Sequence, residues 1–164
     1  MAAEKAKWRH KATDGMHQGL AACNFHGTRL AAVARIAIRE DCRIRVRRVD
    51  CAVDCGRVIH PGIVVDQITG GIIFGLTAAL KSRITMTRGR VDQRNFDTFA
   101  LLRMDEMPDI KVHLVGSVHP PTGIGEAAVP LAGPALANAV YAATGKRIRH
   151  LPIYQDNLKN DERI

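Results

Sequence analysis

The chain has 164 residues, 46% of them hydrophobic and 24% charged. That is one domain's worth of protein, apolar enough to bury a core, and it excludes wholesale disorder. The net charge is +8, concentrated in residues 1–50 with 11 basic and 5 acidic side chains, but aromatics make up only 4%. A basic, solvated surface is therefore expected rather than a nucleic-acid site with stacking platforms.

No uninterrupted apolar run approaches the ~18 residues of a membrane span, so none is expected. Residues 1–5 have no apolar leader core, so the expected compartment is cytoplasmic, or periplasmic if the chain is exported with a partner. Residues 1–18 are polar, with Trp8 the one large anchor, and are expected to pack loosely or fray. Gly19–Phe25 is strand-like. Arg35–Arg39, a turn at Glu40-Asp41, and the alternation of Ile44 and Val46 with Arg43, Arg45 and Arg47 predict a hairpin with one wet face. The apolar phase then slips to Val49, Cys51 and Val53, which predicts a β-bulge near Arg47-Arg48.

A helix is predicted from Pro61, with Val64, Ile68, Ile72, Leu76 and Leu80 on one stripe. Gly70, Gly71 and Gly75 each cost that helix ~1 kcal/mol relative to alanine, which points to close approach of another element or a ligand. Residues 83–92 read as a hairpin turning at Arg88-Gly89, and 93–110 as mixed structure broken by Pro108. Val112, Leu114 and Val115 make a strand stopped by His119-Pro120-Pro121. The loop Thr122–Glu126 leads to an alanine-rich helix ending at Thr144, with Gly145 as its stop. Ile148, Leu151 and Ile153 predict a closing strand, and 154–164 is a polar tail. The expected fold is α/β or α+β, a mixed sheet with two main helices over residues 19–153.

Glu126 is the leading candidate for chemistry. It follows Gly123-Ile124-Gly125 and precedes Ala127-Ala128-Val129, so partial desolvation would raise its pKa towards that of a general base. The competing reading is a carboxylate favoured by a helix N-terminus. The Gln67 amide can donate and accept, as a heterocycle edge requires, and equally suits an exposed helix face. His60 reads as a helix cap. Cys51 and Cys55, four residues apart on a strand, stand ~13 Å from each other, too far to share one metal. All four cysteines are expected to be reduced, mostly buried thiols.

Several ordered stretches resemble one family. Cys51–Pro61, Gln67–Leu76, Asn95-Phe96, Leu101–Met104, Pro120–Glu126 and Ala135–Ala139 look like the C-terminal part of a molybdenum hydroxylase large subunit of the xanthine dehydrogenase and aldehyde oxidase family. The branch resembled is the isoquinoline 1-oxidoreductase β-subunit type of molybdopterin-binding aldehyde dehydrogenase, over about Gly19–Ile153. The resemblance implies a molybdenum–molybdopterin cofactor, with Gln67, Gly70, Gly71 and Gly125 beside it. It makes Glu126 the base that deprotonates a molybdenum-bound hydroxyl, for oxidation of an aldehyde or N-heteroaromatic carbon with water as the oxygen source. It also implies [2Fe–2S] clusters on a partner subunit and a complementary molybdopterin-binding chain. Two positions depart from the family: His60 stands where Asn is usual before Pro, and Thr69 where Glu is usual after Gln-Ile. Most cofactor contacts in the family come from a portion N-terminal to this stretch. The chain is therefore expected to be inactive in isolation. Two alternatives stand beside the enzyme component: a truncated remnant without turnover, and a basic polyanion-binding module using Arg43, Arg45 and Arg47.

Overall fold

The computed structural model describes residues 1–8, 15–153 and 158. In chain order its elements are α1 (Ala2–Lys5), β1 (His17–Phe25), β2 (Thr28–Ile38), β3 (Ile44–Asp54), α2 (Pro61–Leu80), β4 (Met86–Thr87), β5 (Arg90–Val91), β6 (Asp109–Leu114) and α3 (Val129–Thr144), with a 3-10 turn at Met104–Glu106 before β6. β1, β2 and β3 form an antiparallel meander, and β6 joins the free side of β3 in parallel, giving the order β1-β2-β3-β6. The parallel pair is joined through α2, as parallel neighbours require a long crossover.

The phase slip in the sequence is a bulge. Arg35 pairs with Arg48 and Ile36 with Val46, so Arg47 is the extra residue. It lets Val46 and then Val49, Cys51 and Val53 all face the helices, each under 5% exposed. The β1–β2 connection is a two-residue turn at His26-Gly27, with φ of 48° and 86°, the positive pair a tight hairpin needs. Its signal in the sequence is weak, because histidine is an unusual first residue there. The β4–β5 hairpin turns at Arg88-Gly89 as expected.

Both long helices cover one sheet face. α3 lies on β1 and β2, and α2 lies beside α3 and reaches β6. The predicted stripe is the buried one, with Ile68, Ile72 and Leu76 at 1% exposure or less. His60 caps α2, its Nδ1 accepting the Ile63 N–H at 3.2 Å. By length and composition α2 could cross a bilayer, although polar residues and glycines interrupt its apolar run, yet its inner side is core. α3 tolerates Pro134 in its body and ends at Gly145 in the left-handed conformation, φ 71°. α3 approaches β1 closely at Gly19, where a Cβ would stand 2.0 Å from the Ala139 nitrogen.

The other sheet face corrects one expectation. Residues 1–8 are packed rather than frayed: α1 contacts β2 and β3, Ala2 and Ala6 are buried, and the Ala6 carbonyl accepts from Gln18 and Arg35 side chains. Small apolar side chains do the anchoring that was expected of Trp8. β1 begins at His17, inside the stretch expected to be a polar N-terminal segment. Between β3 and β6 lies a buried ionic cluster. Asp50, 2% exposed, accepts from Arg48 at 2.7 and 2.8 Å and contacts His113 Nε2 at 3.1 Å.

The closing strand over 148–153 does not form. Pro152 has no N–H for a ladder, and the Ile153 N–H donates instead to the Ala79 carbonyl at the end of α2, at 2.8 Å. The polar-tail expectation falls mainly outside the described residues, but Leu158 is buried in the core.

Candidate functional site

Gln67 and Gly70 stand on the outer side of α2, while Gly125 and Glu126 lie on the loop that enters α3. They meet at one cleft of about 730 Å3, completed by Phe25, Gly71, Phe74, Val129 and Pro130. What brings α2 to that loop is a pair of glycines. A Cβ on Gly75 would lie 2.3 Å from the Val129 carbonyl oxygen, and one on Gly71 would lie 3.0 Å from Ala128 Cβ. The glycine signal thus divides. Gly71 and Gly75 serve helix packing, whereas a Cβ on Gly70 would meet nothing within 4 Å and would project into open space. Gly71 reaches the cleft, but its missing side chain is accounted for by Ala128.

The loop carrying Glu126 is fastened at its start. Thr122 N–H donates to the Cys55 carbonyl at 2.9 Å, and the buried Thr28 hydroxyl bonds both Thr122 and the Gly123 carbonyl. Glu126 itself is exposed, so this chain alone does not supply the desolvation expected around it. Nor is Glu126 a helix cap. The α3 cap is Ala128, two residues later, with no side-chain hydrogen bond. Glu126 still lies two residues before that cap, beside the α3 N-terminus, so the macrodipole reading keeps its place beside the catalytic one.

Among the described residues, Glu126 is the one charged side chain in the lining and Gln67 the one amide. Phe25, Phe74, Val129 and Pro130 are lining residues that the sequence did not single out. Phe74 was findable, because it continues the outer stripe Ile63-Gln67-Gly70 at helical spacing. Phe25 had no local signal, since only the hairpin and α3 together bring it to the cleft. The cysteines are free, and among the described residues no group of three or more His, Cys, Asp or Glu could hold a metal ion. Burial pushes the Cys51 thiol up to about 12, with a smaller contribution from Cys23, leaving it an inert core side chain.

A pterin is a flat heterocycle with donor and acceptor edges. The exposed Gln67 amide, the open space over Gly70 and the apolar walls at Phe25 and Phe74 fit one side of such a group. Among the described residues no lysine or arginine lines the cleft, so a phosphate arm would have to be held from elsewhere.

Residues 2–108 match the model of the molybdopterin cofactor-binding domain family. The beta chain of isoquinoline 1-oxidoreductase from Brevundimonas diminuta is 37% identical over 155 residues, 92% of this chain and 20% of that protein. A component of nicotinate dehydrogenase from Pseudomonas putida is 33% identical over 131 residues, 79% of this chain and 11% of that one. Among solved structures, quinoline 2-oxidoreductase from Pseudomonas putida 86 superposes with a TM-score of 0.74 at 24% identity, over 80% of this chain and 18% of that chain. The chain belongs to the molybdopterin cofactor-binding domain family. It spans a fifth or less of the length of these relatives. Glu126 lies beyond the stretch matched by the family model but within the longer match to the isoquinoline enzyme.

Proposed function

We propose that this chain supplies one wall of the active site of a molybdenum hydroxylase, with Glu126 as general base and Gln67, Gly70 and Gly125 against the cofactor. The observation that carries this reading is convergence: residues singled out on two distant segments line a single cleft. When bound, the molybdenum–pterin group supplies the two-electron redox chemistry that oxidises an aldehyde or N-heteroaromatic carbon with water as oxygen source.

The chain's own part is positional and protonic. Gln67 turns its amide to the heterocycle edge, and Gly70 leaves room for it. Glu126 accepts the proton of the water-derived nucleophile on a carboxylate oxygen and holds it through the step. Phe25 and Phe74 keep water from the flanks of the cleft. The exposure of Glu126 requires a covering segment, supplied by a complementary molybdopterin-binding chain or the remainder of a longer one. Electrons leave through an iron–sulfur partner.

Glu126→Gln tests the reading in the full protein or complex that carries this chain. Turnover should fall at least ~10²-fold while molybdenum per chain is unchanged. Full turnover with Gln in place removes Glu126 from the chemistry. A complex that contains the chain but no molybdenum at all would favour the remnant reading.

A further inference from the structure

We propose that Thr28 is a positioning residue that fixes the Glu126 loop, an inference that rests on the reading of Glu126 as the base. Thr28 opens β2 directly after the hairpin turn, yet it is 0% exposed. Its hydroxyl donates to the Gly123 carbonyl oxygen at 2.7 Å and lies 2.6 Å from the Thr122 hydroxyl. A hydroxyl has one proton to give, so with that proton on Gly123 the Thr122 hydroxyl is the donor to Thr28. The bonds therefore run in one direction, Thr122 to Thr28 to Gly123, and every group in the relay is satisfied.

The relay holds the loop three residues before Glu126. The other fixed point lies just beyond, where the Val129 N–H donates to the Glu126 carbonyl at 3.0 Å. Glu126 thus spans a short bridge between the hairpin and the start of α3. Contact at the tip is close, because a Cβ on Gly27 would stand 3.0 Å from Thr122 Cγ2. Phe25, paired with Thr28 across the turn, lines the cleft itself. One hairpin tip therefore sets an aromatic wall and, through one hydroxyl, the place of the base. Valine has the shape of threonine without the hydroxyl. It would take the Thr28 partner from the Gly123 carbonyl and the Thr122 hydroxyl and loosen the near end of the bridge, leaving the Thr122 N–H bond to the Cys55 carbonyl as its remaining tie.

The test uses the full protein or complex that carries this chain. Thr28→Val should lower kcat about tenfold with KM little changed, as expected for a displaced catalytic group, and Thr28→Ser should restore most of it. Amide hydrogen exchange at residues 122–127 should quicken in Thr28→Val while β1–β3 stays protected. In a Glu126→Gln background, Thr28→Val should change turnover by less than about twofold, because the hydroxyl acts through the carboxylate. An equal drop in both backgrounds, or unchanged exchange at 122–127, overturns the positioning role. If Thr28→Val does not fold, Thr122→Val removes one link of the relay, and the same comparison is made with it, with about a threefold drop expected. Wild-type turnover in Glu126→Gln alone would overturn the base reading, and the positioning role with it.

Discussion

Gly70→Ala and Gly75→Ala place the same methyl group in the same helix and should have opposite effects. Replacing a helical glycine by alanine gains ~1 kcal/mol of backbone entropy and propensity at either position. At Gly70 nothing lies within 4 Å of the new Cβ, so the gain is kept. Opening of α2 should become about fivefold rarer. At Gly75 the new methyl would stand 2.3 Å from the Val129 carbonyl oxygen and 2.7 Å from Ala132 Cβ. Both obstacles belong to α3, one of them backbone, so neither can rotate away. Overpacking costs ~1–3 kcal/mol and here sits at the upper end, leaving a net loss of about 1–2 kcal/mol after the propensity gain. Amide hydrogen exchange of α2 in the intact protein reads both changes without requiring two-state global unfolding. Exchange should slow in Gly70→Ala and quicken several-fold in Gly75→Ala. Equal protection in the two variants would refute the helix approach on which the cleft depends. Gly70→Ala should also lower molybdenum per chain while stabilising the helix, since it narrows the cleft.

The buried ionic cluster makes a pH prediction. Burial raises the Asp50 carboxyl, but hydrogen bonds from Arg48 and then His113 outweigh it and hold the group below its usual range. A depressed folded value means that this stabilisation is present above about pH 4 and is lost as pH falls through the folded value. Arg48→Met should therefore move acid unfolding, followed by circular dichroism, to higher pH. Its cost at neutral pH should lie below the ~3–5 kcal/mol of a fully buried pair, since the Arg48 side chain is 35% exposed. Unchanged acid unfolding would show that Arg48 does not hold Asp50 ionised. On the outer side of α2, Ile63 and Phe74 are 54% and 71% exposed, so the separated chain should self-associate, and Phe74→Glu should reduce that association in sedimentation. A monomer before any substitution would count against a missing cover.

Local chemistry was legible where one face of one element decided the outcome. The bulge at Arg47 followed from a one-residue phase slip, and the α2 stripe from four-residue spacing. The His60 cap followed from its place before Pro61. What failed was decided by partners far along the chain. Ile148–Ile153 has strand residues, but Pro152 and the Ala79 carbonyl determine where that backbone goes. Residues 1–8 look polar, yet two alanines find a sheet face to cover. Gln67 and Glu126 were legible by residue type and resemblance, but their meeting was not, because it depends on Gly75 lying under Val129. Glycine in a helix announces a close approach without naming the neighbour.

The lodging of Gly19 against Ala139, with the Asn138 amide donating to the Leu20 carbonyl at 2.9 Å, ties β1 to α3. During synthesis the meander β1-β2-β3 emerges long before the segment that covers it. Its apolar face, Leu30 to Ile36 and Val46 to Val53, must wait on the ribosome until α3 arrives, a non-local closure of the kind that slows folding. A chain halted after β6 but before residue 129 would leave the β1 and β2 part of that face without the α3 cover it packs against.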